Sequence, residues 1–189
     1  MKNIVIFASG SGSNTQRIAE YFSASNIARV IMIYSNRADA YVLQRAYQMN
    51  IPTVVFSRVD FYENDLTYNQ LKNLHPDLIV LAGFLWKIPE KIVHAFPRRI
   101  VNIHPALLPK YGGKGMYGDH VHRAVIENGD TESGISIHYV NENYDEGALI
   151  LQARCRINEG DTPETLAKRV HALEYKYYPE TIEQVLQRV

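Results

Sequence analysis

Apolar residues in the first hundred positions come in short continuous runs, and the segments between them carry apolar residues at helical spacing. A continuous run of four or five apolar residues is typical of a strand buried on both faces of a parallel sheet. The runs predict strands at 4–8, 30–34, 53–56, 78–82 and 100–103. The other segments predict a helix after the first glycines and helices at 38–49, 66–74 and 88–96. This alternation favours a doubly wound, mainly parallel α/β sheet.

The pattern changes after residue 105. Residues 106–118 are rich in glycine, proline and lysine and have no period, which is typical of a long functional loop. A helix is predicted at 120–128. Two strands follow at 134–140 and 148–157, and we expect them to extend the sheet in antiparallel fashion.

The last part of the sequence predicts a long helix. Thr162 followed by Pro163 is a helix start, with the threonine as N-cap and the proline at the first helical position. Apolar residues then recur on one stripe until Pro179, which is expected to disturb the helix. We therefore expect an antiparallel extension of the sheet followed by a long C-terminal helix.

Composition narrows the class of protein. A chain of 189 residues suits one domain, which at this size buries roughly 70% of the surface of its unfolded chain. Lys+Arg and Asp+Glu number 20 each, so the formal net charge is zero, which disfavours nucleic acids and anionic membranes as partners. A single cysteine, Cys155, excludes an internal disulfide and a cysteine-based zinc site. With no apolar stretch near the roughly 20 residues of a membrane span and no signal peptide, we expect a cytoplasmic protein.

A glycine-rich loop follows the first predicted strand, where residues 10–14 read GSGSN. Gly12 allows a tight turn, and Ser13 and Asn14 lie where helix amides and the positive end of the helix dipole attract an anion. Thr15 stands in place of the third glycine of a dinucleotide fingerprint, so a single phosphate suits this loop best. The alternative is a plain glycine turn that Ser13 caps.

Asn102 and His104 lie two positions apart on the fifth predicted strand. Alternate residues of a strand share a face, and the carboxyl end of a strand is where open α/β sheets place their ligand crevice. An amide beside an imidazole suits acyl transfer, because the amide can hold a developing oxyanion while the imidazole moves or stabilises a proton. A structural histidine before Pro105 is the alternative.

A polar turn at 141–147 joins the last two predicted strands. It is either a solvated acidic hairpin or the source of a carboxylate, Asp145, that pairs with a histidine. His138 is a candidate for a further polar contact in the same pocket. His120 and His122 are interpreted as two polar positions that open a helix, and by its pattern Glu174 lies at the edge of a solvated helix face.

Four motifs occur in one order along the chain: GSGSN at 10–14, LAGF at 81–84, NIHPALLPKY at 102–111 and DEG at 145–147. Together they resemble the phosphoribosylglycinamide formyltransferases, folate-dependent enzymes of purine biosynthesis. The similarity runs from residue 4 to residue 179. It implies one Rossmann-like formyltransferase domain over 1–189, with a phosphate-binding half at about 1–100 and a catalytic, folate-binding half at about 101–189.

The resemblance implies that a formyl group passes from 10-formyltetrahydrofolate, a co-substrate, to the amine of glycinamide ribonucleotide. It assigns catalysis to Asn102, His104 and Asp145. The implied substrate-binding residues are Gly12, Ser13, Asn14, His171 and Glu174. The implied folate-binding residues are Leu85, Trp86, Lys87, Ile88, Asn102, Asn141, Glu142, Asn143, Tyr144 and Asp145. Partners are then small molecules, no metal takes part, and we expect a monomer or a homodimer.

The implied mechanism is direct attack of the neutral amine on the formyl carbon. Asn102 and His104 would stabilise the oxyanion, and Asp145 would raise the pKa of His104 so that its protonated form is available. The alternatives are a related formyltransferase with another amine acceptor, a hydrolase of the formyl donor and a non-catalytic nucleotide-binding module. The first two usually carry a further domain, which we do not expect in this chain.

Two segments depart from the pattern of the family. Residues 85–88 read LWKI in place of a Met-Arg-Ile-Leu-like segment, and Asn64 stands about where many relatives have an arginine that touches the folate. The loop at 112–118 is longer than in the familiar bacterial members. We expect it to be a mobile cover over the site, with its glycines as hinges.

Overall fold

The computed structural model describes residues 1–188, and over that range it contains one sheet of seven strands with helices on both faces. The strands are β1 Lys2–Phe7, β2 Ala28–Ser35, β3 Thr53–Val55, β4 Leu78–Leu81, β5 Ile100–His104, β6 Glu132–Tyr139 and β7 Leu149–Arg156. The helices are α1 Ser13–Ser23, α2 Val42–Gln48, α3 Arg58–Tyr62, α4 Leu66–Leu74, α5 Glu90–Ala95, α6 Asp119–Glu127 and α7 Pro163–Leu186.

The strand order is β3-β2-β1-β4-β5-β6-β7. The first five strands of the chain are parallel, whereas β6 runs antiparallel to β5 and β7 antiparallel to β6. The predicted doubly wound sheet with an antiparallel extension is therefore confirmed. The direction of winding reverses between β1 and β4, and the crevice at such a switch point is where open α/β sheets bind ligands.

Each face of the sheet carries its own apolar core. Along β1, Ile4 and Ile6 pack on the side of α1, α2, α6 and α7, whereas Val5 and Phe7 pack on the side of α3, α4 and α5. All four side chains are at most 1% exposed. A strand buried on both faces needs apolar residues at every position, which explains the continuous apolar runs of the sequence.

Three elements differ from the sequence predictions. Helix α2 begins at Val42 instead of 38, because residues 37–41 form a turn in which the amide of Ala40 donates to the carbonyl of Arg37. Helix α3 was not predicted. It has five residues, too few for a periodic pattern, and a capping box between Ser57 and Asp60 begins it.

Helix α7 does not stop at Pro179. It begins at the predicted Thr162 cap and continues through the proline to Leu186. Proline in a helix interior costs about 3 kcal/mol. The burial of Tyr178, Ile182 and Val185 against the sheet offsets that cost, since each is at most 1% exposed and a fully buried apolar side chain gains about 1.5–3 kcal/mol.

Candidate active site

A cavity of about 980 Å³ opens at the carboxyl ends of β1, β4 and β5. Its walls come from the loop after β1, the loop after β4, the end of β5, the long loop before α6, the turn between β6 and β7, and one face of α7. Pockets for single drug-sized ligands measure about 300–1,000 Å³. The cavity is at the upper end of this range, and it lies at the switch point of the sheet.

The glycine loop forms one end of the cavity. Gly12 has a φ of 74°, and a Cβ at this position would lie 2.4 Å from the Val42 side chain, so the loop requires glycine here. Helix α1 begins at Ser13, and within the described residues no side chain caps it. The alternative of a turn capped by Ser13 is therefore wrong. The first-turn amides of α1 are left for another acceptor, which suits an anion.

Glu174 of α7 lies at the same end of the cavity. It is 6% exposed, and its Oε2 accepts a hydrogen bond of 2.9 Å from Asn14 Nδ2. Burial raises the pKa of the carboxyl, although Asn14 and the nearby His171 partly oppose the shift. The helix pattern predicts that Glu174 lies on a solvated face. That prediction is wrong, because α7 packs directly against α1.

His122 also corrects a sequence interpretation. It lines the cavity, is 2% exposed and lies in an edge-to-face arrangement with His171, their ring centroids 6.4 Å apart. Its Nδ1 has no hydrogen-bond partner among the described residues. Burial, together with the charge of His171, lowers the pKa of His122 to about 4. It is a buried neutral imidazole and not a solvated position that opens a helix.

Asn102 and His138 face each other across β5 and β6. They are paired in the strand register, and Asn102 Nδ2 lies 3.2 Å from His138 Nε2. The Nδ1–H of His138 donates to the carbonyl of Tyr139 at 2.8 Å, so in the neutral ring Nε2 accepts from Asn102. The expected polar contact of His138 in the pocket is present. A second, longer contact of 3.4 Å joins Asn102 Nδ2 to Asp145 Oδ1.

His104 lies between a backbone carbonyl and a carboxylate. Its Nε2 donates to the carbonyl of Tyr111 at 2.6 Å, and its Nδ1 lies 3.6 Å from Asp145 Oδ2. Burial lowers the pKa of His104, and the attraction of Asp145 does not reverse the shift. The expectation that Asp145 raises this pKa above its ordinary value is wrong, because the loss of solvation exceeds the gain from the ion pair.

Asp145 is held by the two segments that flank the cavity mouth. Its φ is 55°, a left-handed conformation that aspartate and asparagine tolerate better than most residues. Its Oδ2 accepts from the Gly113 amide at 2.9 Å, and its Oδ1 lies 3.6 Å from His138 Nε2. Burial alone would raise the pKa of Asp145, but both histidines and the Gly113 amide together lower it. The carboxylate is therefore ionised at neutral pH.

The opposite end of the cavity is aromatic. The wall there contains most of the residues predicted to bind folate, which are Leu85, Trp86, Lys87, Ile88, Asn141, Asn143 and Tyr144. Glu142 is not on this wall, because its carboxylate turns away to His94 Nε2 at 2.8 Å. Asn64 is not on it either. Arg58 and Tyr62 of the unpredicted helix α3 line it instead, and the sequence carried no periodic signal for them.

Comparison with known proteins decides the family. The family model described as "Formyl transferase" matches residues 2–182. The chain belongs to the formyl transferase family.

Formyl transferases of several organisms are similar to this one. Phosphoribosylglycinamide formyltransferase from Haemophilus influenzae is 41% identical over 184 residues, covering 95% of this chain and 84% of that protein. The chloroplastic enzyme of the same name from Arabidopsis thaliana is 42% identical over 96% of this chain, which spans only 64% of that relative's length. The crystal structure of glycinamide ribonucleotide transformylase 1 from Symbiobacterium toebii has a TM-score of 0.90 at 34% identity, covering 99% of this chain and 88% of that one.

Membership in this family confirms two predictions from the sequence motifs, the fold and the transferase class of the enzyme. Among residues 1–188 the structure shows no group of three or more histidine, cysteine, aspartate or glutamate side chains that could hold a metal ion. None of the described helices is long and apolar enough to cross a membrane.

Proposed function

We propose that the protein transfers the formyl group of 10-formyltetrahydrofolate to the amine of glycinamide ribonucleotide, a step of purine nucleotide biosynthesis. One observation carries the proposal: Asn102, His104 and Asp145 converge at the middle of a cavity that has an anion-binding end and an aromatic end. The names of the similar proteins support the same reaction.

The acceptor occupies the end formed by the glycine loop and α7. The phosphate of the ribonucleotide accepts from the first-turn amides of α1 at Ser13 and Asn14, beside Gly12. Glu174 and His171 bind the middle of the acceptor, since a buried carboxylate beside an imidazole suits hydroxyl and amine donors. A protein with zero net charge can hold a phosphate monoester in this way without a basic patch.

The donor occupies the aromatic end. The segment 85–88 and the turn residues Asn141, Asn143 and Tyr144 enclose it, and Asp145 closes the inner side next to Asn102. The donor supplies the formyl group as a bound co-substrate.

Chemistry takes place between the two ligands. The amine nitrogen attacks the formyl carbon, and the carbonyl oxygen becomes an oxyanion. An N–H of Asn102 stabilises this oxyanion. It is the N–H that makes only a long contact with Asp145, with Nδ2 3.4 Å from Oδ1. Because Nε2 of His104 already donates to Tyr111, its Nδ1 carries the free lone pair and takes the proton lost by the amine. The resulting imidazolium lies beside Asp145 and assists the oxyanion, then protonates N10 of the folate as the bond from the carbon to N10 breaks.

The lowered pKa of His104 fits this order of events. A histidine that is neutral in the free enzyme can accept a proton, and Asp145 at 3.6 Å favours the charged form as soon as it arises. We further propose that the chain works as one catalytic unit, with residues 1–100 for the phosphate and 101–189 for catalysis and folate. Its partners are small molecules, it acts as a monomer or homodimer, and it works in the cytoplasm.

Turnover with the two purified substrates tests the proposal. Formation of tetrahydrofolate is followed by absorbance and the formylated ribonucleotide by mass, and the two should appear in equal amounts. Asn102→Ala should lower kcat by about 100- to 1,000-fold, the usual cost of one lost oxyanion donor. Asn73→Ala, on the exposed face of α4, is the matched control and should leave kcat unchanged. Formate release without a formylated product, or formylation of a different amine only, would contradict the proposal.

A further inference from the structure

The carbonyl group of Tyr111 fixes which nitrogen of His104 carries the proton. A neutral imidazole has one N–H, and two acceptors compete for it here. The Tyr111 carbonyl lies 2.6 Å from Nε2, whereas Oδ2 of Asp145 lies 3.6 Å from Nδ1. The shorter contact keeps the proton on Nε2. The lone pair on Nδ1, which serves as the base in the proposed reaction, therefore depends on the position of this carbonyl.

Tyr111 has a backbone conformation that is costly for a tyrosine. Its φ is 56°, in the left-handed region that bulky residues rarely adopt. Such a conformation persists only where the surrounding structure holds it. The segment before Tyr111 is anchored at Leu108, whose amide donates to Ser136 Oγ at 2.9 Å and whose carbonyl accepts from Gln152 Nε2 at 2.9 Å. Tyr111 lies beyond this anchor, so a further contact is needed to hold it.

The side chain of Asp130, in the turn after α6, supplies that contact. The Tyr111 hydroxyl donates to Asp130 Oδ2 at 3.0 Å. Asn128 Nδ2 donates to the other oxygen at 2.8 Å, and Lys110 Nζ lies 3.4 Å from Oδ2. Burial alone would raise the pKa of Asp130, but the hydrogen bonds from Asn128 and Tyr111 and the charge of the lysine lower it. The carboxylate is therefore ionised at neutral pH, and a hydrogen bond to an ionised acceptor is stronger than one between neutral groups.

Neither Tyr111 nor Asp130 lines the cavity of the proposed reaction. Both contribute to the wall of a second, smaller cleft of about 310 Å³. The structure connects them to the reacting groups through the carbonyl that accepts from His104. We propose that the hydrogen bond between Asp130 and Tyr111 is a positioning device that keeps His104 in the tautomer with a free Nδ1. This inference rests on the proposed function, in which Nδ1 takes the proton lost by the amine.

Loss of the Tyr111 hydroxyl removes the contact that holds this left-handed residue. The carbonyl then moves away from Nε2, and Asp145 draws the proton of the neutral ring to Nδ1. A ring with its proton on Nδ1 has no lone pair there to accept a proton from the amine. Turnover should therefore fall in proportion to the fraction of rings that keep the proton on Nε2, whereas binding of the two substrates should not change.

Two substitutions break this hydrogen bond from its two ends. Tyr111→Phe removes only the hydroxyl, and it should lower kcat about fivefold, equivalent to about 1 kcal/mol, with both KM values unchanged. Asp130→Ala removes the acceptor and should cost about as much. Because both changes break one contact, the double variant should have the kcat of Asp130→Ala alone. Losses that multiply in the double variant, a fall of less than twofold in Tyr111→Phe, or a rise in KM in place of a fall in kcat would overturn the inference.

Tyr21→Phe is the matched control. The Tyr21 hydroxyl also donates to a carboxylate, that of Glu183, and Tyr21 does not line the cavity. This variant should keep the wild-type kcat. If its kcat fell as far as that of Tyr111→Phe, the loss of any hydrogen bond of this kind would lower turnover, and the assigned role of Tyr111 would be wrong.

Nitrogen NMR of the ring of His104 separates this inference from the proposed function, because it needs no turnover. At about pH 8, well above the ordinary histidine pKa of about 6.5, the chemical shifts of the two ring nitrogens report which one carries the proton. The spectrum of His104→Gln identifies the signals of this ring among those of the seven histidines. The wild-type protein should carry the proton on Nε2, and in Tyr111→Phe about four rings in five should carry it on Nδ1.

The NMR result decides the inference whatever the outcome of the turnover assay. The same tautomer in both proteins would refute the inference even if formyl transfer occurs. If transfer to glycinamide ribonucleotide fails and the tautomer still shifts in Tyr111→Phe, the proposed function fails and the positioning of His104 by Tyr111 stands.

Discussion

Replacing Asp145 with asparagine removes one charge from the centre of the cavity, together with the weak acceptor for Asn102 at 3.4 Å. The residue has a φ of 55°, which asparagine adopts about as readily as aspartate, and the amide oxygen can still accept from the Gly113 amide. The fold should therefore be unchanged. What is lost is the negative charge 3.6 Å from His104 Nδ1, the atom that takes the proton in the proposed reaction.

The size of the effect follows from that distance. Two unit charges 3.6 Å apart attract by about 4.6 kcal/mol at an effective dielectric constant of about 20. Only the protonated His104 feels this attraction, so it counts fully in the step that forms the imidazolium and not in the free enzyme. Each 1.36 kcal/mol corresponds to about a tenfold change in rate, which gives an upper value of roughly 2,000-fold. We expect kcat for Asp145→Asn to fall by about 1,000-fold.

The assay is steady-state turnover with both substrates, accompanied by circular dichroism and a thermal melt. Asp77→Asn is the control. Asp77 is also a half-buried aspartate in an ion pair, with Lys2, but it precedes β4 at the amino ends of the parallel strands and does not line the cavity. It should keep its kcat. If folded Asp145→Asn retained more than a tenth of wild-type kcat, the charge of Asp145 would have no part in the proton transfer.

Two further predictions concern the acceptor end of the cavity. Gly12→Ala should lower the free energy of unfolding by about 1–3 kcal/mol and raise KM for the ribonucleotide, because its Cβ would meet Val42. Chemical denaturation measures the first effect and initial rates measure the second. An unchanged KM would contradict the phosphate assignment. His122 has a pKa of about 4 in the folded protein against 6.5 in the unfolded chain. The unfolded chain therefore binds more protons as the pH falls below 6.5, and at pH 5 the fold loses about 2 kcal/mol of stability from this group. His122→Gln should abolish that part of the pH dependence, and identical slopes of stability against pH in both proteins would show that His122 is not buried as a neutral ring.

The strands of the sheet could be predicted because burial on both faces leaves a direct mark on the sequence. Strands β1, β4 and β5 consist of apolar residues apart from Lys2, Asn3, Asn102 and His104. Helix α4 also has the predicted bounds. The continuation of α7 past Pro179 could not be predicted, since the local rule for proline is outweighed there by packing against the sheet. Helix α3 is too short for a period, and its one local signal is the Ser57–Asp60 capping pattern.

The parts of the site that could be predicted are those where a local rule fixes the direction of a side chain. Asn102 and His104 share a face because of the two-residue period of a strand. The pKa of His104 could not be predicted, because it depends on how the effect of burial compares with the effect of the charge on Asp145. A sequence motif contains neither quantity. The burial of His122 depends on how α6 packs on α7. The place of Arg58 on the cavity wall could not be predicted, because α3 is too short to show a helical period.

The hydrogen bond between Asn14 and Glu174 joins residues 160 positions apart. An acceptor molecule that contacts both residues would link the first helix to the last. Neither helix could then unfold alone while the acceptor stays bound. Occupancy of this end should then protect the chain from proteases as a whole, by an amount that grows with the logarithm of acceptor concentration. The residues that line the aromatic end come from neither α1 nor α7. Binding of the acceptor would therefore stabilise the chain from its first helix to its last, whereas binding of the donor would stabilise the segments around the aromatic end.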